Sequence, residues 1–334
     1  MEKVMSRKLI TISTIMTLMS TSVIADVPNV AADIAPIHSL VSRVMDGVGA
    51  PKLIVQSGAS PHGYRLRPSE AKALQDADHV FWMGEELTPW LDSAIGTLAS
   101  KASVTTLLDQ QGVILHDFRE GALFEAHDHS AHGDDDHDDH DDHDDHDDHK
   151  DHDDHDDHDD HDDHGSHDPH AWLSPENAKL WLNIIASKLS VSDPENAATY
   201  FMNAAAGQAE IEAMIAEVKA TLKPVQGGKF VVFHDAYQYF ENDFDFYASG
   251  AISLGDSSDP SPARIEKVQK RIRDEGIQCV LAEPQFKKGL VATVMEGSDA
   301  TASVIDPLGT ELETGPKLYT QLIKNMAKTL RNCL

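Results

Sequence analysis

Between residues 126 and 169 the chain is built almost wholly of histidine and aspartate, much of it a strict Asp-Asp-His repeat from Asp138 to His164. Fourteen of its 20 histidines lie here: His127, His129, His132, His137, His140, His143, His146, His149, His152, His155, His158, His161, His164 and His167. Imidazole suits zinc, copper and nickel, and carboxylate is a common companion ligand, so this tract reads as an auxiliary collector of metal. With no large apolar side chain to offset the entropy of ordering, it is expected to be disordered without metal. Three residues turn a helix by about 300°, so the repeat does not stack its imidazoles on one helical face. Its sites are not preformed, and each should be weaker than a site built into a fold.

Outside the tract only His38, His62, His79, His116, His170 and His234 remain. His62 sits in Gly58-Ala59-Ser60-Pro61-His62-Gly63-Tyr64, a loop after an apolar run. His234 ends the run Phe230-Val231-Val232-Phe233 and precedes Asp235, and His170 lies in Asp168-Pro169-His170-Ala171-Trp172. Asp306 follows another apolar run, in Ile305-Asp306-Pro307-Leu308-Gly309. Ligands of α/β sheets gather outside the carboxyl ends of strands, where His62, His234 and Asp306 would lie. No short metal-ligand motif joins the four, so spacing alone is a weak signal. Asp306 reads equally as a turn or capping residue before Pro307, and Asp235 as a residue that orients His234 or a neighbouring group, or as a solvated carboxylate. His38, His79 and His116 read as structural or solvent-facing.

Elements to position these residues are legible in the apolar pattern. Strands are predicted at 29–32, 53–56, 79–83 and 104–107, with helices at 37–46, 68–76 and 88–99 between them. Such alternation argues for a parallel sheet covered by helices. Pro175 after Ser174 marks a helix start. Asp193 and Pro194 then open a helical pattern that continues to Lys223, with Gly207 a slight weakness in its middle. Thirty residues at 1.5 Å rise would reach about 45 Å, long enough to join two lobes. Beyond it, strands are predicted at 230–233, 246–252, 277–282 and 303–305, with helices at 262–275 and 315–331. The reading is α/β, with two lobes, 26–192 and 224–334, joined by one long helix at 193–223 and a ligand in the cleft between them.

The totals bound the function. The chain has 334 residues and a formal charge of −30, but residues 128–168 carry 22 aspartates against one lysine, leaving only about −9 elsewhere. With no basic stripe, a nucleic-acid partner is disfavoured. Residues 1–25 read as a secretory signal: Lys3, Arg7 and Lys8 precede a short apolar run that ends at Val23-Ile24-Ala25. The run is too short to span a membrane, which needs about 20 apolar residues. In the oxidising compartment this implies, Cys279 and Cys333 are expected to form a disulfide.

The stretches GASPHGYRLRPSEAKALQDADHVFWMGEEL, DPHAWLSPENAK, VVFHDAYQYF, CVLAEPQF and DPLGTELETGPKLY resemble the ZnuA-type zinc-binding proteins of periplasmic ABC importers, in order and over nearly the whole chain from Asn29 to Cys333. The resemblance implies two α/β lobes joined by a long rigid helix, with a metal in the cleft. It implies Zn2+ ligands at His62, His170 and His234, with Asp306 matching a carboxylate that coordinates metal in parts of the family. It matches Cys279 and Cys333 to a disulfide of the zinc members, and the tract to a His/acid-rich loop. Several zinc members carry a glutamate just before the first histidine, where this chain has Pro61. The fourth ligand therefore stays open between Asp306, a water and a tract histidine. Three imidazoles with at most one carboxylate favour zinc over manganese, which prefers oxygen.

The implied function is capture of Zn2+ outside the inner membrane and its delivery to an ABC permease with its ATPase. A periplasmic zinc chaperone is a further implied partner, and the chain is expected to be a monomer. Neutral imidazoles must hold the ion, so affinity should fall below about pH 6. Three histidines with an open position would also describe a zinc hydrolase, but there is no HExxH helix and no general base beside the ligands. A zinc buffer without a permease is the other alternative, and a surface adhesin is disfavoured by the lack of a lipid-anchor cysteine.

Overall fold

The computed structural model describes residues 27–119, 124, 167–253, 260–285 and 288–334. The signal-peptide reading and tract histidines His127 to His164 lie outside the described residues. The first lobe runs β1 (Val30–Ala32), α1 (Ala35–Val44), β2 (Lys52–Leu53), α2 (Pro68–Gln75), β3 (His79–Trp82), α3 (Pro89–Leu98) and β4 (Ser103–Thr106). After the tract come α4 (Pro175–Ser192) and the long α5 (Ala197–Leu222). The second lobe runs β5 (Phe230–His234), α6 (Gln238–Phe244), β6 (Ala251–Ser253), α7 (Pro262–Glu275), β7 (Cys279–Ala282), α8 (Lys288–Met295), β8 (Thr301–Val304) and α9 (Leu318–Cys333).

Each lobe carries a four-stranded parallel sheet, ordered β2-β1-β3-β4 in one and β6-β5-β7-β8 in the other. Both therefore put the first strand beside the third, with successive connections leaving in opposite directions. That junction is where α/β sheets place ligands, outside the carboxyl ends of the two strands. In the first lobe it is closed by the chain itself: buried Asp33 accepts from Met83 N–H at 2.6 Å and Ile34 N–H at 2.7 Å. In the second lobe it holds His234, the last residue of β5, and Glu283, just past β7.

Several sequence expectations shift by a few residues. The long helix starts at Ala197, not Asp193, because α4 persists to Ser192 and the chain must reverse within the next four residues. Asp193 sits in that turn, fully buried, accepting from Asn196 and from the Tyr200 hydroxyl at 2.7 Å. Gly207 is a crossing point more than a weakness: an added Cβ would meet Leu182 at 3.0 Å and Arg43 at 3.1 Å. The second lobe's edge strand is only Ala251–Ser253, since Phe246 instead packs its ring on Phe230. Helices α6 and α8 were not predicted. The first is an aromatic-rich single stretch without a side-chain cap, so neither period nor boundary marks it.

The two lobes are joined by more than α5. Buried Ser39 of α1 donates to Gly315 O and accepts from Tyr319 N–H, while Trp172 Nε1–H donates to Pro307 O at 2.8 Å. Arg43 of α1 pairs with Glu210 of α5, and Lys324 of α9 with Glu217 two turns further on. One core of buried side chains runs from Val30 through α4 and α5 to α9. The Cys279–Cys333 disulfide is formed and ties β7 to the end of α9. Among the described residues, no helix is long and apolar enough to cross a membrane.

Candidate metal centre

Each of the three histidines reaches the cleft from a different kind of element. His234 is carried by a buried strand end. His170 immediately precedes a short 3-10 turn, Ala171–Leu173, that leads into α4, whose start is capped by Ser174 accepting from Asn177 N–H. His62 lies in the β2–α2 loop, which Trp90 of α3 pins by donating its indole N–H to Pro61 O at 2.7 Å. Gly58, at φ +85°, lets that loop turn against the other lobe, where a Cβ would meet Thr310 at 3.3 Å.

The three rings converge. One ligand atom from each of His62, His170 and His234 lies within 4.8 Å of the others, with His170 and His234 buried and His62 half-buried. Ring centroids are 5.2 Å apart for His170 and His234 and 5.4 Å for His62 and His170. Nδ1 of His170 lies 2.6 Å from Asp168 Oδ1, and Nδ1 of His234 lies 2.5 Å from Glu283 Oε1. An ionised carboxylate only accepts, so each Nδ1 carries the proton and donates it. That leaves a lone pair on each Nε2, and these two atoms face each other at 3.4 Å. Two nitrogens on one tetrahedral zinc, at Zn–N of about 2.0–2.1 Å, are about 3.3–3.4 Å apart. The donor set thus fits a divalent ion of zinc's size and softness, with carboxylate–imidazole pairs that fix ring orientation and raise ligand basicity.

The carboxylates themselves are buried. Burial pushes Asp168 up to about 6, against the pull of the His170 backbone N–H and of Arg119 and His234 nearby. Neither Asp168 nor Glu283 was singled out from sequence. Their signals were an acid two residues before His170 and an acid directly after a strand.

Asp306 is not in the converged group. Its two oxygens accept from Leu308 N–H at 3.0 Å, Gly309 N–H at 2.9 Å and Thr310 N–H at 2.5 Å, which is the turn reading. That turn is the surface against which Gly58 presses. Asp235 pairs with Arg119. His38 Nε2–H donates to Pro51 O at 3.2 Å, with Ser42 Oγ at its Nδ1, and His79 Nε2 pairs with Ser192 Oγ at 2.7 Å. His116 accepts from Asn242 Nδ2–H at 3.1 Å, and its ring packs tilted against Tyr239. His167, counted with the tract, closes the tract's stem: it pairs with Asp117 at 2.9 Å in an isolated antiparallel bridge, and Asp168 N–H donates to His116 O. The described chain thus re-enters at His167, three residues before His170.

The family model described as ZnuA, zinc-uptake complex component A, periplasmic, matches residues 30–333. The chain is similar to the high-affinity zinc uptake system protein ZnuA of Brucella abortus, at 49% identity over 305 residues, 91% of each chain. Its fold is similar to that of a crystallised ZnuA deletion mutant with zinc bound, at TM-score 0.70 and 19% identity over 92% of this chain and 98% of that one. It is also similar to the solute-binding protein FpvC of Pseudomonas aeruginosa in complex with Mn2+, at TM-score 0.69 and 17% identity over 92% and 97%.

Proposed function

Because the chain belongs to the ZnuA family of periplasmic zinc-uptake components, we propose that it captures Zn2+ as cargo and delivers it to an inner-membrane ABC permease driven by its ATPase. The family is one of solute-binding transport proteins, not enzymes. The observation that carries the reading is the convergence of His62, His170 and His234, with the Nε2 atoms of His170 and His234 3.4 Å apart. His62, His170 and His234 are the proposed ligands. With Asp306 committed to its own turn, water is the proposed fourth ligand. Three neutral imidazoles satisfy zinc without the oxygen-rich set that manganese prefers.

Export with cleavage near Ala25, action as a monomer, and exchange with a periplasmic zinc chaperone complete the proposal. The tract supplies weak auxiliary sites whose stem opens beside the cleft. Calorimetry with Zn2+ on the mature protein and on a form lacking residues 126–166 tests the division. One tight ion should survive deletion, with the weak ones lost. Loss of all tight binding on deletion would place the primary site in the tract. Zinc-limited growth with and without the permease separates import from simple buffering.

A further inference from the structure

Resting on the reading of His62, His170 and His234 as the zinc site, we infer that Tyr239 is a positioning residue for the ligand His170, which its hydroxyl fixes through the main chain of Asp168. Tyr239 is the second residue of α6, the helix that follows His234, and it is buried. Its hydroxyl donates to Asp168 O at 2.7 Å and accepts from His116 N–H at 3.1 Å. Those two residues face each other across the tract's stem, where Asp168 N–H donates directly to His116 O at 2.8 Å. Residues opposed as a hydrogen-bonded antiparallel pair ordinarily exchange two such bonds. Here the second runs through the phenol oxygen, and the ring lies against His116 with centroids 4.7 Å apart.

The inserted hydroxyl sets where Asp168 stands. Asp168 is itself buried, and its Oδ1 accepts from His170 N–H at 3.0 Å and from His170 Nδ1 at 2.6 Å. One residue therefore ties the phenol on its carbonyl to the imidazole on its carboxylate. Burial pushes the ionisation of the Tyr239 hydroxyl above its ordinary value of 10, so the proton it donates is kept. The same helix grips the chain beyond His170, where Asp243 accepts from the Ser174 hydroxyl at 2.7 Å. The run from 234 to 243 thus supplies one ligand, His234, and holds a second, His170, from both flanks. Without the hydroxyl, His116 N–H and Asp168 O can meet only if the pair closes, which moves Asp168 relative to His170. Otherwise a buried carbonyl is left without its donor, and either result loosens the support of the ring.

The test uses the mature full chain with no more than one Zn2+ per chain, so that the tightest site is read. Affinity is measured by chelator competition, and the imidazole Nδ1–H protons of His170 and His234 are followed by NMR. Tyr239→Phe should weaken Zn2+ about tenfold and shift or broaden the His170 proton, while that of His234, backed by Glu283, stays in place. In an Asp168→Asn background the same change should cost less than about twofold, because its route to the metal is already cut. Tyr200→Phe, which removes a buried hydroxyl bond to Asp193 instead, is the control for a purely structural loss and should leave affinity and both protons unchanged. An unchanged affinity in Tyr239→Phe overturns the proposal, as does an equal shift of both protons, or a loss of the same size beside Asp168→Asn. If Tyr239→Phe does not fold, an ortho-fluorinated tyrosine at position 239, a stronger donor of nearly the same shape, makes the comparison. A shift of the His170 proton alone then supports the proposal, and no shift overturns it. A parent in which Zn2+ moves neither imidazole proton would sink the zinc site itself, a different result.

Discussion

The Nε2 atoms of His170 and His234 lie 3.4 Å apart although the residues are 64 positions apart and belong to different lobes. The scaffold maintains the approach through carboxylates behind each ring and through buried bonds such as Trp172 to Pro307 that lock the lobes together.

Removing either carboxylate should loosen the ligand it orients. Glu283→Gln and Asp168→Asn are each expected to weaken Zn2+ about 10- to 100-fold, measured by chelator competition on the form lacking residues 126–166. Unchanged affinity in both would mean the ring orientation is set by packing alone.

Asp306 separates turn from ligand. In Asp306→Ala the amides of Leu308, Gly309 and Thr310 lose their acceptor. Stability should fall by about 1–3 kcal/mol in urea denaturation. Zn2+ stoichiometry in the tract-deleted form should stay at one, with affinity within about threefold, under 1 kcal/mol. A large loss of affinity with stability intact would make Asp306 the fourth ligand.

The His62 loop depends on Gly58, whose φ of +85° strains any side chain and where an added Cβ would press on Thr310 at 3.3 Å. Gly58→Ala should cost roughly 1–2 kcal/mol for the left-handed backbone and weaken Zn2+ as the loop shifts. Gly63→Ala in the same loop, where an added Cβ meets nothing, is the control and should change neither. Equal effects of the two, by thermal melting and calorimetry, would remove Gly58 from the account.

His38 provides a pH signature of stability. Burial holds its imidazole below the ordinary value of 6.5, against the opposing bond to Pro51 O. Above pH 6.5 neither state is charged and nothing is lost. As pH falls below 6.5 the unfolded chain takes a proton that the folded one refuses, so stability declines. His38→Gln, which keeps a donor for Pro51, should flatten the drop in urea midpoint between about pH 6.5 and 5 relative to the parent, without metal. Parallel curves for parent and variant would contradict this.

Much of the architecture was readable locally. Pro175 after Ser174, and Ser261 with Pro262 and Gly276 around α7, mark helix ends with backbone chemistry that does not depend on distant residues. The apolar runs ending at His234 and spanning Cys279–Ala282 are strands because a buried parallel sheet needs them. Edges were less legible: β2 and β6 are short, and α6 and α8 have little periodic signal, so packing decides where they begin.

By itself the sequence determined the donor types, the two sheets flanking a long helix, and the concentration of histidine and aspartate in one tract. Periodicity, caps and composition act over a few residues and need no partner. Only the tertiary structure decided which donors meet and what stands behind them. Glu283 reaches His234 across 49 positions, and Arg119 reaches Asp235 across 116. Asp306 turned back to amides two to four residues away. Whether a carboxylate faces an imidazole, a guanidinium or its own backbone is settled by how lobes pack, and no local pattern carries that information.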